Sequence, residues 1–415
     1  MPEQVQDLII GAGAVGVAIA HALASGGRQV VIVDRSKVCS GCSHGNAGWV
    51  TPCHALPIPG PGLPAQTMKW MLRGDSPLYI RPSLRPSLLA WLWRFYRHCN
   101  HDAQLRGLKA MAQLNRHVVP MTRQLVEQCG LDCQFQSRGI LEVFRTEAEL
   151  AKGHQHLELL KQHGISGEVL SRDAVHEREP ALSEAVCGGI FFPEEADYVP
   201  DQFVKELADR LPALGVRILS DTAVEGFTLA ANRINTVATS AGDMQPQTVV
   251  LAAGAWSVLL ARQLGVHLSM QPGKGYSVTL RCQPGVPRIP LMLTDSKVGI
   301  TPWRDTVRLA GTMELAGLQL AINRRRVDAI VRAAKSYLPG FRGEHVLETW
   351  AGMRPVTSDG LPIIGRSGKL TNLIMATGHG MLGLTQSVVT GRLVADLVLD
   401  REPLVPVGPF SPDRF

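Results

Sequence analysis

Apolar positions cluster early in the chain. Leu8 to Ile10 form a short apolar run, Val15 to Leu23 repeat at helical spacing, and Val30 to Val33 form a second run. The pattern predicts a strand, a helix and a strand. Further apolar runs predict strands at 139–144, 188–192, 216–219, 276–280, 299–302, 307–311 and 373–376. The stretch Gln247 to Gly254 reads as a buried strand that ends in small residues. Helical spacing dominates from Gln66 to about Leu131, including the aromatic run Ser87 to Tyr96. It returns at 202–211 behind an Asp201 cap, after Ala255–Ser257, at about 323–337 and at 385–399. Between Cys39 and Pro64 the pattern lapses into a long loop rich in Gly, Pro and small polar residues, a length that usually signals function.

The turn between the first strand and helix reads Gly11-Ala12-Gly13-Ala14-Val15-Gly16. The first two glycines permit a tight turn and close approach of backbone to a pyrophosphate, and the third lets helix pack on strand. The helix start offers unpaired N–H groups to phosphates. Asp34, at the end of the second strand and next to Arg35, stands where a carboxylate accepts from a ribose hydroxyl, which argues against a 2′-phosphate. Glycines, both strands and the acid in register favour a dinucleotide site over a bare turn between strand and helix, and leave NAD and FAD unseparated.

With 415 residues the chain is long enough for two cores, and 19% charged residues exclude a largely disordered chain. A formal charge of +6 comes without a basic block, so nucleic acid is not the expected partner. Eight irregularly spaced cysteines suit a reducing cytosol, and the pair Cys39/Cys42 reads as part of a flexible loop, with no metal site. The reading expects no secretory signal and no transmembrane helix.

Glycine-rich elements recur near residues 11, 254 and 380, so three distant segments would hold one cofactor. Four stretches carry a family likeness. They are GAGAVGVAIAHAL with Asp34, SHGNAGWVTP (43–52), VVLAAGAWS (249–257), and GMRPVTSDGLPIIG (352–365) with ATGHGMLGLTQS (376–387). Together they resemble the D-amino-acid oxidase superfamily of FAD-dependent oxidoreductases. Thr67–Pro82, Trp91–Asn100 and Gly273–Leu280 are most similar to the bacterial D-amino-acid dehydrogenase small subunit and D-hydroxyproline dehydrogenase type. The loop before Asn46, and Trp49, depart from that pattern. The resemblance implies an α/β fold: a Rossmann-like FAD domain discontinuous in sequence (1–60, 180–268, 350–415), and an α+β substrate domain with a mixed antiparallel sheet (61–179, 269–349).

The resemblance also implies roles for individual residues. Arg354 would clamp the substrate carboxylate with its planar fork, the alternative being an ion pair with Asp359 or Glu348. Tyr276 would hydrogen-bond the same carboxylate, or else sit half-buried in a sheet, with Lys274 facing solvent. His379 would border flavin or substrate. The N–H groups of Gly380, Met381, Leu382, Gly383 and Leu384 would face the flavin where negative charge develops. Ser43, His44, Asn46, Ala47 and Gly48 would lie along the flavin, with His44 one residue out of register for covalent attachment, so FAD is expected to be noncovalent. Val224 would meet the adenine end, Ala253, Gly254 and Trp256 the pyrophosphate region, and Gly352 and Gly378 complete the cofactor wall.

The expected reaction is oxidation of D-alanine-like or D-proline-like substrates, with electrons passed to a quinone or other carrier. The alternatives are an oxygen-using glycine or sarcosine oxidase, an RNA-modification module, and a flavin-holding subunit inactive without partners. The cluster Trp70, Trp91, Trp93, Phe95 and Tyr96, with Arg94 and Arg97, reads either as a membrane interface or as core packing. Localisation is expected to be cytoplasmic, or peripheral on the inner face of the cytoplasmic membrane.

Overall fold

The computed structural model describes residues 1–71, 76–83 and 85–415. Residues 72–75, within the Thr67–Pro82 stretch, fall outside them. Two sheets organise the chain. In the first, Arg217–Leu219, Val30–Val33, Glu3–Ile10, Gly242–Leu251 and Leu373–Thr377 run parallel in that order. Ile363–Arg366 closes one edge antiparallel, and the hairpin Val224–Ala230 and Arg233–Thr239 extends the start of the 242–251 strand. The helices Ala14–Ser25 and Ser387–Val398 pack together on one face of this sheet, so its central strands are apolar on both sides.

The second sheet has nine strands, with Val346–Thr357, Met270–Arg281, Thr306–Leu315 and Val298–Pro302 forming an antiparallel series. Leu291–Leu293, Ile140–Phe144, Gly188–Phe192 and Glu168–Ser171 continue it, and Leu78–Ile80 joins Thr306–Leu315 parallel. One face packs on the helix Arg324–Tyr337 through Val278, Leu309 and Ile330. The other face is left for the site.

Several expectations are corrected. Gly188–Phe192 pairs with Ile140–Phe144 in the second sheet, so the chain crosses to the nucleotide sheet later than residue 180. The second sheet likewise keeps its last strand to Thr357 rather than ending at 349, because that strand pairs along Met270–Arg281. The helix Pro200–Arg210 starts one turn position early: Pro200 supplies a preset φ at its first turn and Val199 is the cap, leaving Asp201 inside. Lys274 is 4% exposed rather than solvent-facing, because it shares a buried site with Glu314, 3.5 Å away.

Candidate functional site

The turn after the first strand is built from steric need. Gly11 has φ +118°, and a Cβ there would lie 2.6 Å from the Ala252 carbonyl. A Cβ on Gly16 would lie 1.9 Å from the Gly11 carbonyl, so Gly16 sets how closely the helix approaches. The Ala12 N–H donates to Asp34 Oδ2 at 2.8 Å, and Asp34 Oδ1 accepts from the Ser36 N–H at 2.9 Å. Asp34 thus stiffens the turn, and its remaining lone pairs face the cavity. Ser43 Oγ accepts from the Ala14 N–H at 3.0 Å, which ties the 39–64 loop to the helix start.

This turn opens one end of a cavity of about 1010 Å³ that runs between the two sheets. A volume of that order holds a dinucleotide together with a small substrate. At the turn end it is bordered by Gly11, Gly13, Ala14, Val15, Asp34 and Arg35, with Val224, Ala253, Gly254 and Trp256 beside them. The Arg35 guanidinium lies 4.2 Å from the centre of the Trp256 ring, a flat cationic platform at the outer end. Ser43, Asn46, Ala47, Gly352 and the segment Gly380–Leu384 border the middle. Gly16, His44, Gly48 and Gly378 do not line the cavity. Gly48 and Gly378 hold φ of +82° and +75° at backbone turns, and the His44 ring pairs with Glu348 at 2.9 Å.

At the far end stands Arg354. Strand alternation puts Trp350, Gly352 and Arg354 on one face of Val346–Thr357, and their neighbours across the sheet are Ser277, Gly275 and Gly273. The guanidinium lies directly over Gly275, where a Cβ would come within 2.0 Å of Nη1. Nη1 donates to the Thr312 carbonyl at 2.7 Å. Both alternative carboxylates are committed elsewhere, Asp359 to Arg414 at 2.7 Å and Glu348 to His44. Arg354 therefore has no carboxylate partner among the described residues, and burial pulls its pKa below the usual guanidinium value.

Tyr276 takes the second of its two readings, a tyrosine buried in the sheet, and still borders the cavity. Alternation sends its ring into the core under the helix Arg324–Tyr337, and its hydroxyl donates to Glu314 at 2.7 Å rather than to a carboxylate in the cavity. Burial and the adjacent carboxylate both raise its pKa. His379 borders the cavity, but its Nε2 lies 3.0 Å from Thr390 Oγ1, and burial lowers its pKa to about 3. A neutral imidazole here pins the Gly380 loop to the last helix.

Sequence reasoning missed several wall residues. Cys42, in the turns of the 39–64 loop, borders the cavity with its thiol pKa raised by burial. Arg308 is buried and donates through Nη1 to the carbonyls of His44 (2.8 Å) and Asn46 (3.0 Å), holding the flavin-side loop on the second sheet. Trp350 fills the space that Cβ atoms on Gly45 and Gly352 would take. The glycines flanking Trp350 were the only legible signal.

Among the described residues no cluster suited to a metal ion is found, and no helix is long and apolar enough to cross a membrane. The FAD dependent oxidoreductase family model matches residues 8–397. A D-amino acid dehydrogenase of Bradyrhizobium diazoefficiens is 34% identical, with 98% of each chain covered, and one of Xanthobacter autotrophicus is also 34% identical over 98% of each. Among solved structures, glycine oxidase from Geobacillus kaustophilus superposes with a TM-score of 0.82 at 22% identity, covering 100% of this chain and 99% of that one. L-proline dehydrogenase from P. horikoshii gives 0.81 at 20% identity, covering 100% and 98%.

Proposed function

The chain belongs to the family of FAD-dependent oxidoreductases and is an FAD-dependent amino-acid dehydrogenase, and from that premise we propose that it oxidises D-amino acids and passes the electrons to a membrane quinone. The observation that carries the reading is Arg354, a half-buried guanidinium bordering the cavity with no carboxylate partner among the described residues. A substrate carboxylate supplies the missing partner through two parallel charge-assisted hydrogen bonds. The residues around the cavity fit the cofactor: the cradle at Gly11 and Gly13, the carboxylate of Asp34, and the Arg35–Trp256 platform at one end.

Bound FAD supplies the hydride acceptor, N5, for the substrate Cα–H. The chain's own share is to fix the carboxylate at Arg354, to wall the site with Trp350 and Met353, and to exclude water. The segment Gly380–Leu384 borders the cavity; the Gly380 and Leu382 N–H groups are held by the Pro355 and His379 carbonyls at 3.0 and 2.9 Å, and those of Met381, Gly383 and Leu384 would be the ones to favour negative charge on the bound ring. No side chain need act as base. An amine that reaches the site unprotonated leaves an imine, which water hydrolyses to a 2-oxo acid, or a cyclic imine from a proline-type substrate.

Support for a membrane acceptor comes from the cavity mouth. Met68 is 73% exposed, Trp93 61% and Tyr96 58%, with Leu320 and Met381 also exposed. The two readings of the aromatic helix Pro86–His98 divide between its faces: Trp91 is buried and stacks on Phe95, whereas Trp93 and Tyr96 stack on each other in solvent. An apolar rim flanked by Arg94 and Arg97 suits an interface with anionic lipid.

The test is anaerobic bleaching of the flavin band by D-alanine, D-proline, D-hydroxyproline, their L-enantiomers, glycine and sarcosine, followed by air. Bleaching by D-amino acids with slow recovery is expected. Rapid recovery with hydrogen peroxide, or bleaching by glycine or sarcosine alone, assigns an oxidase instead.

A further inference from the structure

Past Arg354 the cavity continues over a floor stripped of side chains. Lateral pairing in the second sheet sets Trp350, Ser277, Ala310, Gly299, Met292 and Glu142 in one row on the cavity face. Ser277, Ala310 and Gly299 are the middle of that row, small residues where a sheet ordinarily presents bulk; Ala310 and Gly299 line the cavity. Trp49 leans over Gly299, where a Cβ would lie 2.8 Å from its ring, and its Nε1 is held by Thr301 Oγ1 at 2.7 Å. From the strand under the Arg354 guanidinium to the strand of Gly299 is two strand spacings, about 10 Å. That exceeds what an alanine-sized substrate fills.

At the end of this row the wall turns polar. Glu142 stands on the sheet, His54 approaches it from the 39–64 loop with Nε2 4.0 Å from Oε1, and Lys297 comes from the turn before Val298–Pro302 and acts electrostatically on both. His54 and Lys297 border the cavity. Among the described residues, the partly buried Glu142 carboxyl and His54 Nε2 make no hydrogen bond within normal distance, although such groups normally find one, and the Lys297 side chain is exposed beside them. Burial lowers the His54 pKa to about 4, so the imidazole is neutral at physiological pH, and burial raises that of Glu142. The lysine acts against the charge of the glutamate, and His156 also acts on His54, so the end of the row holds an acceptor and a donor of opposite charge.

We propose that His54, Glu142 and Lys297 form a side-chain subsite that selects D-amino acids ending in an uncharged group able both to donate and to accept hydrogen bonds, an amide or hydroxyl at glutamine length. The inference rests on the D-amino-acid reading and deepens it. An amide offers N–H to Glu142 and its carbonyl to Lys297, whereas an apolar isostere leaves both groups unpaired. A carboxylate satisfies Lys297 but opposes Glu142, and a guanidinium does the reverse.

The experiment is kcat/KM of the flavin-loaded full chain, with a soluble dye as acceptor, for D-glutamine, D-methionine, D-glutamate, D-arginine and D-alanine. The expected result is D-glutamine over its apolar isostere D-methionine by about 10-fold, with D-glutamate and D-arginine below D-glutamine. In Glu142→Leu that ratio falls to near one, and in Glu142→Gln, which keeps an acceptor oxygen for the substrate amide, it is largely retained. Flavin content reports folding of each variant; should the leucine variant not fold, Lys297→Met is expected to lower the same ratio. D-methionine equal to D-glutamine, or a charged substrate ranked first, overturns the subsite while leaving the D-amino-acid reading intact. Failure of every D-amino acid, D-alanine included, to reduce the flavin overturns that reading and the subsite with it.

Discussion

The guanidinium of Arg354 occupies the volume that a Cβ on Gly275 would fill, with Nη1 2.0 Å from that point. The two residues stand on neighbouring strands, and the missing side chain on one is the seat of the other. Gly275→Ala is therefore expected to displace the clamp without touching the cofactor turn. Its flavin content should match wild type while kcat/KM for D-amino acids falls. Arg354→Ala removes the charge-assisted bonds outright and should cost roughly 2–4 kcal/mol in kcat/KM, about 30- to 700-fold. Arg354→Lys should recover only part, since a point charge cannot form the planar pair. Steady-state kinetics checks all three, and near-normal turnover of Arg354→Ala at low substrate would remove it from the clamp role.

How much of this was legible in the chain depends on what each residue's role rests on. The Gly11–Gly16 turn and Asp34 were legible because short-range geometry dictates them: a positive φ, a helix packed on a strand, and an acid at a strand end. Tyr276 was not, because a one-residue shift of parity in a strand moves a side chain to the other face, and the long strand Met270–Arg281 is buried on both. Gly275, its neighbour, holds the cavity face. His54, Glu142 and Lys297 were invisible for another reason. They lie on a loop, a strand and a turn far apart in sequence, and only the pairing of Ile140–Phe144, Leu291–Leu293 and Val298–Pro302, with the 39–64 loop laid against them, brings them together.

Asp34 holds the turn, and in the proposed function it serves the cofactor as well. Its two oxygens hold the Ala12 and Ser36 amides at 2.8 and 2.9 Å, so Asp34→Ala loses both contacts as well as the ribose contact. Hydrogen bonds to a charged group contribute roughly 1.5–3 kcal/mol each. The purified variant is expected to carry substoichiometric flavin and to regain it only at high added FAD. The ratio of visible to protein absorbance measures this, and full retention of flavin would contradict the assignment.

Gly16 is a sharper case, because a Cβ 1.9 Å from the Gly11 carbonyl meets backbone that cannot yield. Gly16→Ala must push the helix Ala14–Ser25 off the sheet, and overpacking of this kind costs about 1–3 kcal/mol or more. A lowered melting temperature together with loss of flavin is expected from calorimetry and absorbance. An unchanged melting temperature would mean that the helix shifts freely.

His379 sets an acid limit on stability. Its pKa falls from 6.5 in the unfolded chain to about 3 when buried, so below pH 6.5 the unfolded state takes up a proton that the folded state does not. Stability from this group is complete above 6.5 and is lost as pH falls, by roughly 1.4 kcal/mol per pH unit between about 6 and 3. Denaturant titrations at pH 7.5, 6 and 5 should show this decline, and His379→Asn, less stable at pH 7.5, should show a shallower one. Equal slopes in the two proteins would place the proton uptake elsewhere.

The mouth of the cavity makes a prediction that separates chemistry from delivery of electrons. Trp93 and Tyr96 are exposed on the outer face of Pro86–His98, opposite the buried Trp91, so replacing both with serine leaves the inner packing in place. With a soluble dye as acceptor, the double variant should turn over D-amino acids at the wild-type rate. With a quinone embedded in vesicles of anionic lipid, it should turn over several-fold more slowly, and it should cosediment less with those vesicles. The basic residues Arg94 and Arg97 on the same helix should make wild-type binding weaken as salt rises, since charge attraction to the lipid surface is screened within about 10 Å at 0.1 M. Equal rates with vesicle-bound quinone for variant and wild type would return the aromatic face to the role of ordinary surface and leave the acceptor to be sought in solution.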